Sequence, residues 1–227
     1  IGYLVESQNL IQIEGIEDSN DTGDATQHRN GPPTLSMQDH GGTVRTVELG
    51  IEQINKLLPV VNALEREEIP ASEIMLGLEC GGSDGNSGVT ANPALGVASD
   101  MLVACGGTAV LSEMPEIYGA EHLLTARSRN EEVADKLIER IKWWEWYTDV
   151  FGESISNNPS VGNKEGGLTT ITEKSLGAIA KGGSTVLEAV YEYAQPITQR
   201  GFVIMDTPGF DPVSVTGMVA GGANVIV

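Results

Sequence analysis

Short apolar runs, set apart by helical patterns, most narrow what this chain can fold into. Ile74-Met-Leu-Gly-Leu78, Thr108-Ala-Val-Leu-Ser112, Thr185–Val190, Phe202–Asp206 and Asn224–Val227 are runs of this kind. Apolar runs of four to eight residues without polar alternation are strands covered on both faces. Helical periodicity lies between them. From Pro93, residues Ala94, Val97, Ala98, Met101 and Leu102 are predicted to face the core. Asn130 is placed to cap a helix running to Tyr147, with Val133, Leu137, Ile141, Trp144 and Tyr147 as its apolar face. A further helix is predicted over 169–181, with Ile171, Ser175, Ala178 and Ile179 inward. Another is expected to begin near Tyr118–Ala120, and one to lie between the last two strands. Strands alternating with helices need crossover connections, so the sheet is parallel. The sequence therefore predicts a Rossmann-like α/β fold, a largely parallel sheet flanked by helices.

Earlier in the chain, Val44, Val47, Ile51, Ile54 and Leu58 recur at steps of three and four, with Thr43 as cap and Pro59 as end. Residues 15–42 are rich in Asp, Asn, Gly, Pro and Thr and read as a mobile loop. Residues 152–168, also rich in Gly, Pro, Asn and Ser, read as a second loop. The length of 227 residues suits one large domain or two small ones. The chain starts at Ile1 and stops inside an apolar run, which suggests a piece of a longer protein cut at both ends.

Thirteen basic and 32 acidic residues give a formal charge of −19. That charge disfavours nucleic acid and anionic membranes as partners, since both repel a polyanion. No run of about 18 apolar residues is present to span a bilayer. Cys80 and Cys105 cannot make a disulfide framework, so a reducing compartment, the cytoplasm, is expected. Cys105 sits on an apolar helix and reads as core. Trp143, Trp144 and Trp146 cannot share one helix face, so a domain or subunit contact is expected there, and with it a homodimer.

Two segments that follow strands carry chemistry. Cys80-Gly-Gly-Ser-Asp84 brings a thiol, a hydroxyl and a carboxylate into five residues whose glycines allow close ligand approach. It is neither a Walker loop nor a dinucleotide fingerprint, because the required Gly spacings are missing; a tight strand-to-helix turn with a buried cysteine is the structural alternative. Glu113, Glu116, Glu121 and His122 crowd the second segment. Carboxylate with imidazole suits Fe, Mn or Zn, and a thiolate leans toward Fe or Zn. The same groups serve as acid and base, or simply complement a helix N-terminus. His28 and His40 fall in the acidic early loop and read as surface residues. Lys164, in a Gly-rich loop, is one of few cations available to a substrate carboxylate.

Leu78-Glu-Cys-Gly-Gly-Ser-Asp-Gly-Asn-Ser-Gly-Val-Thr-Ala-Asn-Pro-Ala-Leu-Gly96 closely resembles the signature block of the altronate/galactarate dehydratase family. The resemblance continues through Leu111–Leu124, Asn157–Gly177 and Phe202–Gly209. The Pro115-Glu-Ile-Tyr-Gly-Ala-Glu-His122 run, the Trp143-Trp144 pair and Met205-Asp-Thr-Pro208 look most like its altronate dehydratases. Galactarate dehydratases and sulfolactate sulfo-lyases are relatives.

The resemblance implies a hydro-lyase that dehydrates a sugar acid in hexuronate catabolism, D-altronate to 2-dehydro-3-deoxy-D-gluconate, with Fe²⁺ (or Mn²⁺) as cofactor. A piece of such an enzyme could also bind sugar acids without turning them over. Cys80, Asp84, Glu113, Glu116 and His122 are the expected catalytic residues, with Cys80, Glu113 and His122 as metal ligands. Ser83, Ser87, Asn92, Asn163 and Lys164 are the expected substrate-binding residues. The metal is expected between the 79–88 loop and the 113–122 segment, since both should leave the same edge of a parallel sheet.

Overall fold

A computed structural model describes residues 3–5 and 34–227. The chain divides into two units, Ile1–Glu68 and Ile69–Val227. His28 and the 15–42 loop as far as residue 33 lie outside the described residues.

In the first unit, strands β1 (Tyr3–Val5) and β2 (Thr34–Ser36) pair in parallel. Helix α1 (Thr43–Asn62) follows. Gly42, at φ 101°, is its cap residue, a backbone angle that suits glycine. The helix does not stop at Pro59; the proline lies inside it, and the Ala63 amide bonds back to the Pro59 carbonyl. Proline removes one donor without forbidding the next turn. The predicted apolar face is exposed, with Val44 at 76% and Ile54 at 58%. A helix face is buried only where an apolar layer lies on it, and the described part of this unit offers two short strands. His40 turns its Nδ1 to the Ser36 carbonyl, 2.7 Å away.

The second unit is built on five parallel strands. They are β3 (Met75–Leu78), β4 (Thr108–Leu111), β5 (Leu187–Tyr191), β6 (Gly201–Met205) and β7 (Val225–Ile226), in the order β5-β6-β4-β3-β7. β3 and β4 are in register, Met75 beside Thr108 and Leu78 beside Leu111, so their following loops leave the sheet side by side. Alternate residues of β6 feed two cores. Phe202 and Ile204 join Leu78, Leu111, Leu137 and Ile141 on one face, while Val203 and Met205 join Val110 and Met218 on the other. The α/β expectation is met.

Five helices lie between β3 and β5: α2 (Ala91–Ala104), α3 (His122–Thr125), α4 (Glu131–Val150), α5 (Val161–Glu165) and α6 (Ile171–Ala180). Helix α7 (Asp211–Gly221) follows β6. Asn130 caps α4 by accepting the Val133 amide at 3.0 Å. Leu137 and Ile141 are buried as predicted, and Trp144 is half-buried, but Tyr147 is exposed. Trp143 and Trp146 are exposed too. On α6 the predicted inward residues are buried.

Three further expectations need correction. Helix α2 does not bury Ala94, Val97, Ala98 and Met101, which are exposed. It buries Gly96 and Ser99, because it lies against the end of α6 more closely than large side chains allow. A Cβ on Gly96 would overlap the Ala180 carbonyl oxygen. Asn92 Nδ2 donates to the Gly177 carbonyl at 2.9 Å, and Ser99 Oγ to that of Lys181 at 2.9 Å. Cys105 is not core: it follows the last residue of α2 and is exposed. Residues 152–168 are not all loop, since Ser160 and Asn163 form a reciprocal capping box that starts α5. Among the described residues, no helix is long and apolar enough to cross a membrane.

Candidate active site

The site grows from the ends of β3 and β4. Ser112, one residue past β4, has its Oγ 2.7 Å from the Leu78 carbonyl and 3.0 Å from Glu79 Oε2, the two acceptors its one proton can serve, which ties the two loops together. Glu113 then turns the chain with left-handed φ 62° and ψ 57°. A non-glycine residue in that region is strained unless its neighbours hold it. Here the Glu113 amide donates to Thr207 Oγ1 at 2.7 Å and the Met114 amide to the Thr207 carbonyl at 3.0 Å. Thr207 follows β6 and is itself anchored on Ser214 of α7, 2.7 Å away. A short 3-10 turn, Met114–Ile117, then carries Glu116 inward.

Both glutamates are buried, 1% and 2% exposed, and each meets a buried lysine, Lys174 within α6 or Lys181 at its C-cap. Lys181 Nζ lies 3.2 Å from Glu113 Oε2. Lys174 Nζ lies 2.6 Å from Glu116 Oε1 and donates to Asn158 Oδ1 at 2.8 Å. The other oxygens, Glu113 Oε1 and Glu116 Oε2, are buried without a hydrogen-bond partner, as is Glu79 Oε1. Unpartnered buried carboxylate oxygens are costly and need a cation or a donor. Cys80 Sγ and one oxygen each of Glu113 and Glu116 lie within 4.8 Å of one another. Oxygens of Glu79, Glu113 and Asp211 form a second group of the same size.

Burial pushes the Cys80 thiol up to about 12, and Glu116 and Glu113 add to the effect. The metal-free thiol is therefore neutral, and a bound cation has to displace its proton. Burial also raises Glu113 from 4.5 to about 8; Lys181 opposes the rise, and Glu116 and Glu79 support it. The folded chain then binds a proton that the unfolded chain releases between those two values. Metal-free protein is thus expected to lose stability as pH rises from 4.5 to 8. Urea unfolding in EDTA across that window checks this. Glu113→Gln should flatten the slope, and an unchanged slope in that variant would assign it to other groups.

The structure brings together only part of the set expected from sequence. Cys80, Glu113 and Glu116 converge. His122 is exposed, opens α3 and belongs to neither group. Asp84 closes its own turn, accepting the amides of Asn86 at 2.9 Å and Ser87 at 2.6 Å. Those bonds, led by the Ser87 amide, hold its carboxyl below the usual range. Ser87 Oγ is spent on the Asp84 backbone. Ser83 works against the rise at the Cys80 thiol, and its carbonyl accepts Asn163 Nδ2 at 2.8 Å. Asn92 and Asn163 thus commit their amide groups to backbone carbonyls. Lys164 is exposed. Sequence reasoning missed Glu79, Lys174, Lys181, Thr207 and Asp211. The lysines left a signal: positions 174 and 181 continue the inward face marked by Ile171, Ser175 and Ala178, where a cation needs a buried anion.

Residues 71–227 match the family described as D-galactarate/altronate dehydratase, C-terminal. The chain is 45% identical over 193 residues to galactarate dehydratase (L-threo-forming) of Escherichia coli K12, covering 84% of this chain and 37% of that protein. It is 42% identical over 180 residues to altronate dehydratase of the same organism, covering 79% of this chain and 36% of that protein. The beta subunit of (2R)-sulfolactate sulfo-lyase from Chromohalobacter salexigens is 33% identical over 187 residues, 81% of this chain and 48% of that subunit. The chain thus spans little more than a third of the dehydratases it matches. On the family match and these identities, it belongs to the D-galactarate/altronate dehydratase family, with residues 71–227 matching that family's C-terminal part.

Proposed function

We propose that the whole protein is a metal-dependent hydro-lyase that dehydrates a sugar acid, D-altronate to 2-dehydro-3-deoxy-D-gluconate. Family membership supports the reaction class. The observation that carries the metal is the convergence of Cys80, Glu113 and Glu116 with carboxylate oxygens left unpartnered in a buried place. One thiolate with carboxylates suits Fe²⁺, with Mn²⁺ the alternative that favours oxygen.

The chemistry removes a proton from C2, beside the carboxylate, and hydroxide from C3. A divalent cation supplies Lewis-acid stabilisation of the negative charge that builds on the carboxylate side. Cys80, Glu113 and Glu116 would hold it. Glu79 and Asp211, grouped with Glu113, are side chains of the type needed, one as a carboxylate to take the C2 proton and the other as a carboxylic acid to protonate the leaving hydroxyl. Thr207 and Ser112 keep these loops fixed while the proton moves.

Altronate is favoured by the Pro115–His122 run, the Trp143-Trp144 pair and Met205–Pro208. Galactarate is the competing substrate, since 45% and 42% identity separate the two relatives too little to choose. Elimination of sulfite from a 3-carbon sulfonate is a second reading, motivated by the sulfo-lyase relative. Full-length protein, reconstituted with Fe²⁺ in the absence of oxygen, is expected to form keto acid from D-altronate. Faster turnover of galactarate would change the substrate, and sulfite release from sulfolactate the bond broken. No product from any aldonate, aldarate or sulfonate would end the proposal.

A further inference from the structure

Lys174 and Lys181 stand seven residues apart, two turns, on one face of the α6 segment, roughly 10 Å along its axis. Each meets one of two glutamates that stand three residues apart after β4. The two pairs repeat one pattern. One carboxylate oxygen is taken by an ammonium, and the other is buried and unpartnered. Lys174 has a second acceptor in Asn158, so its ammonium is fixed from two sides. A buried lysine costs a great deal in desolvation and is retained only beside an anion. Two of them on one short helix and its C-cap, in a chain with 13 basic residues, concentrate rare positive charge at one place.

We propose that Lys174 and Lys181 are positioning residues of the cation site: each holds one oxygen of a glutamate, leaves the other free for the ion beside Cys80, and cancels one negative charge so that the loaded site repels an acid less.

The charge count explains the second part. Glu113 and Glu116 bring two negative charges, and the lysines bring two positive ones. A divalent ion bound with a Cys80 thiolate then leaves that set at +1, beside which Glu79 and Asp211 add up to two negative charges. Without the lysines the whole group would be two charges more negative and would repel a carboxylate. The chain as a whole carries −19, so an acidic substrate needs a local reduction of negative charge of this kind. The lysines also confine each glutamate to one free oxygen, which fixes where the ion sits. This inference rests on the cation reading above and deepens it.

The test uses the full-length protein and Mn²⁺ as probe, with free Mn²⁺ followed by electron paramagnetic resonance. Wild type is expected to bind Mn²⁺, and Cys80→Ala to bind it more weakly. Lys174→Met and Lys181→Met should each weaken binding by about 10–100-fold, the usual cost of losing a group that orients a ligand. Their KM for sugar acids should rise more than their kcat falls, and more for a doubly charged aldarate than for a singly charged aldonate. Lys181→Arg, which keeps the charge, should recover most of the KM change.

Folded Met variants with wild-type Mn²⁺ affinity and KM would overturn the proposal while leaving the cation reading intact. No Mn²⁺ uptake by wild type would instead sink the cation reading, and this proposal with it. Should the Met variants fail to fold, a crystal structure of Mn²⁺-loaded wild type decides the matter. Lysines still paired to one oxygen of each glutamate support the proposal. Glutamates chelating through both oxygens, with the lysines turned away, overturn it.

Discussion

Cys80→Ala in the full-length protein is expected to lower bound Fe²⁺ and turnover together, by more than about 100-fold, because loss of a ligand should exceed the 10–100-fold cost of a supporting group. His122→Ala should leave both within about threefold, as exposed substitutions usually do. The contrast follows from position. Cys80 Sγ shares a 4.8 Å cluster with two buried carboxylates, whereas His122 is exposed at the start of α3 and outside both groups. Metal analysis and keto-acid assays on the same samples decide it. If His122→Ala loses iron while Cys80→Ala keeps it, the cluster described here is not the metal site.

The second large effect concerns packing. Gly96→Ala is expected to destabilise the second unit by about 3 kcal/mol or more, the upper range for forcing atoms into a filled interior. The added Cβ would overlap the Ala180 carbonyl oxygen and stand 3.2 Å from the Gly183 amide nitrogen. Both neighbours are backbone, so no side chain can swing aside; the helices themselves must part. For a domain of this size, that corresponds to a fall in melting temperature of roughly 6–12 °C. Because Ala180 precedes Lys181, Mn²⁺ affinity should fall with it. Melting within about 2 °C of wild type, followed by circular dichroism, would show that α2 and α6 have room to separate.

These two residues show what the sequence does and does not disclose. Cys80 is legible because it directly follows an apolar run, and parallel sheets gather such positions at one edge. Glu113 and Glu116 are legible for the same reason, after the neighbouring strand. The face of α2 is not legible from periodicity. Its closest contact is made by Gly96 and Ser99, whose smallness is the useful property; of the predicted inward residues only Leu102 packs on the core, beside Leu95 and Val103. The lysines carried a readable signal, charge at inward helical positions, but a lysine is ordinarily solvated and the anion that reverses that rule lies far away in sequence. His122 is exposed outside the cluster, because its direction depends on a 3-10 turn that the residue pattern does not mark. Asp84 lies outside it too, with its carboxylate bonded to its own loop.

The left-handed turn at Glu113 ties the site to the order in which the chain folds. Its amide is held by Thr207, 94 residues on, its side chain by Lys181, 68 residues on, and Glu116 by Lys174, 58 residues on. None of these restraints is local, and loop closure across such separations is slow. Until β6 has docked beside β4, Glu113 has nothing to keep it in a strained conformation and no ammonium to accompany it out of water. Isolated early segments of the chain therefore cannot display this site. A cation bound tightly through Cys80 reports that the polypeptide through Thr207 has already found its place.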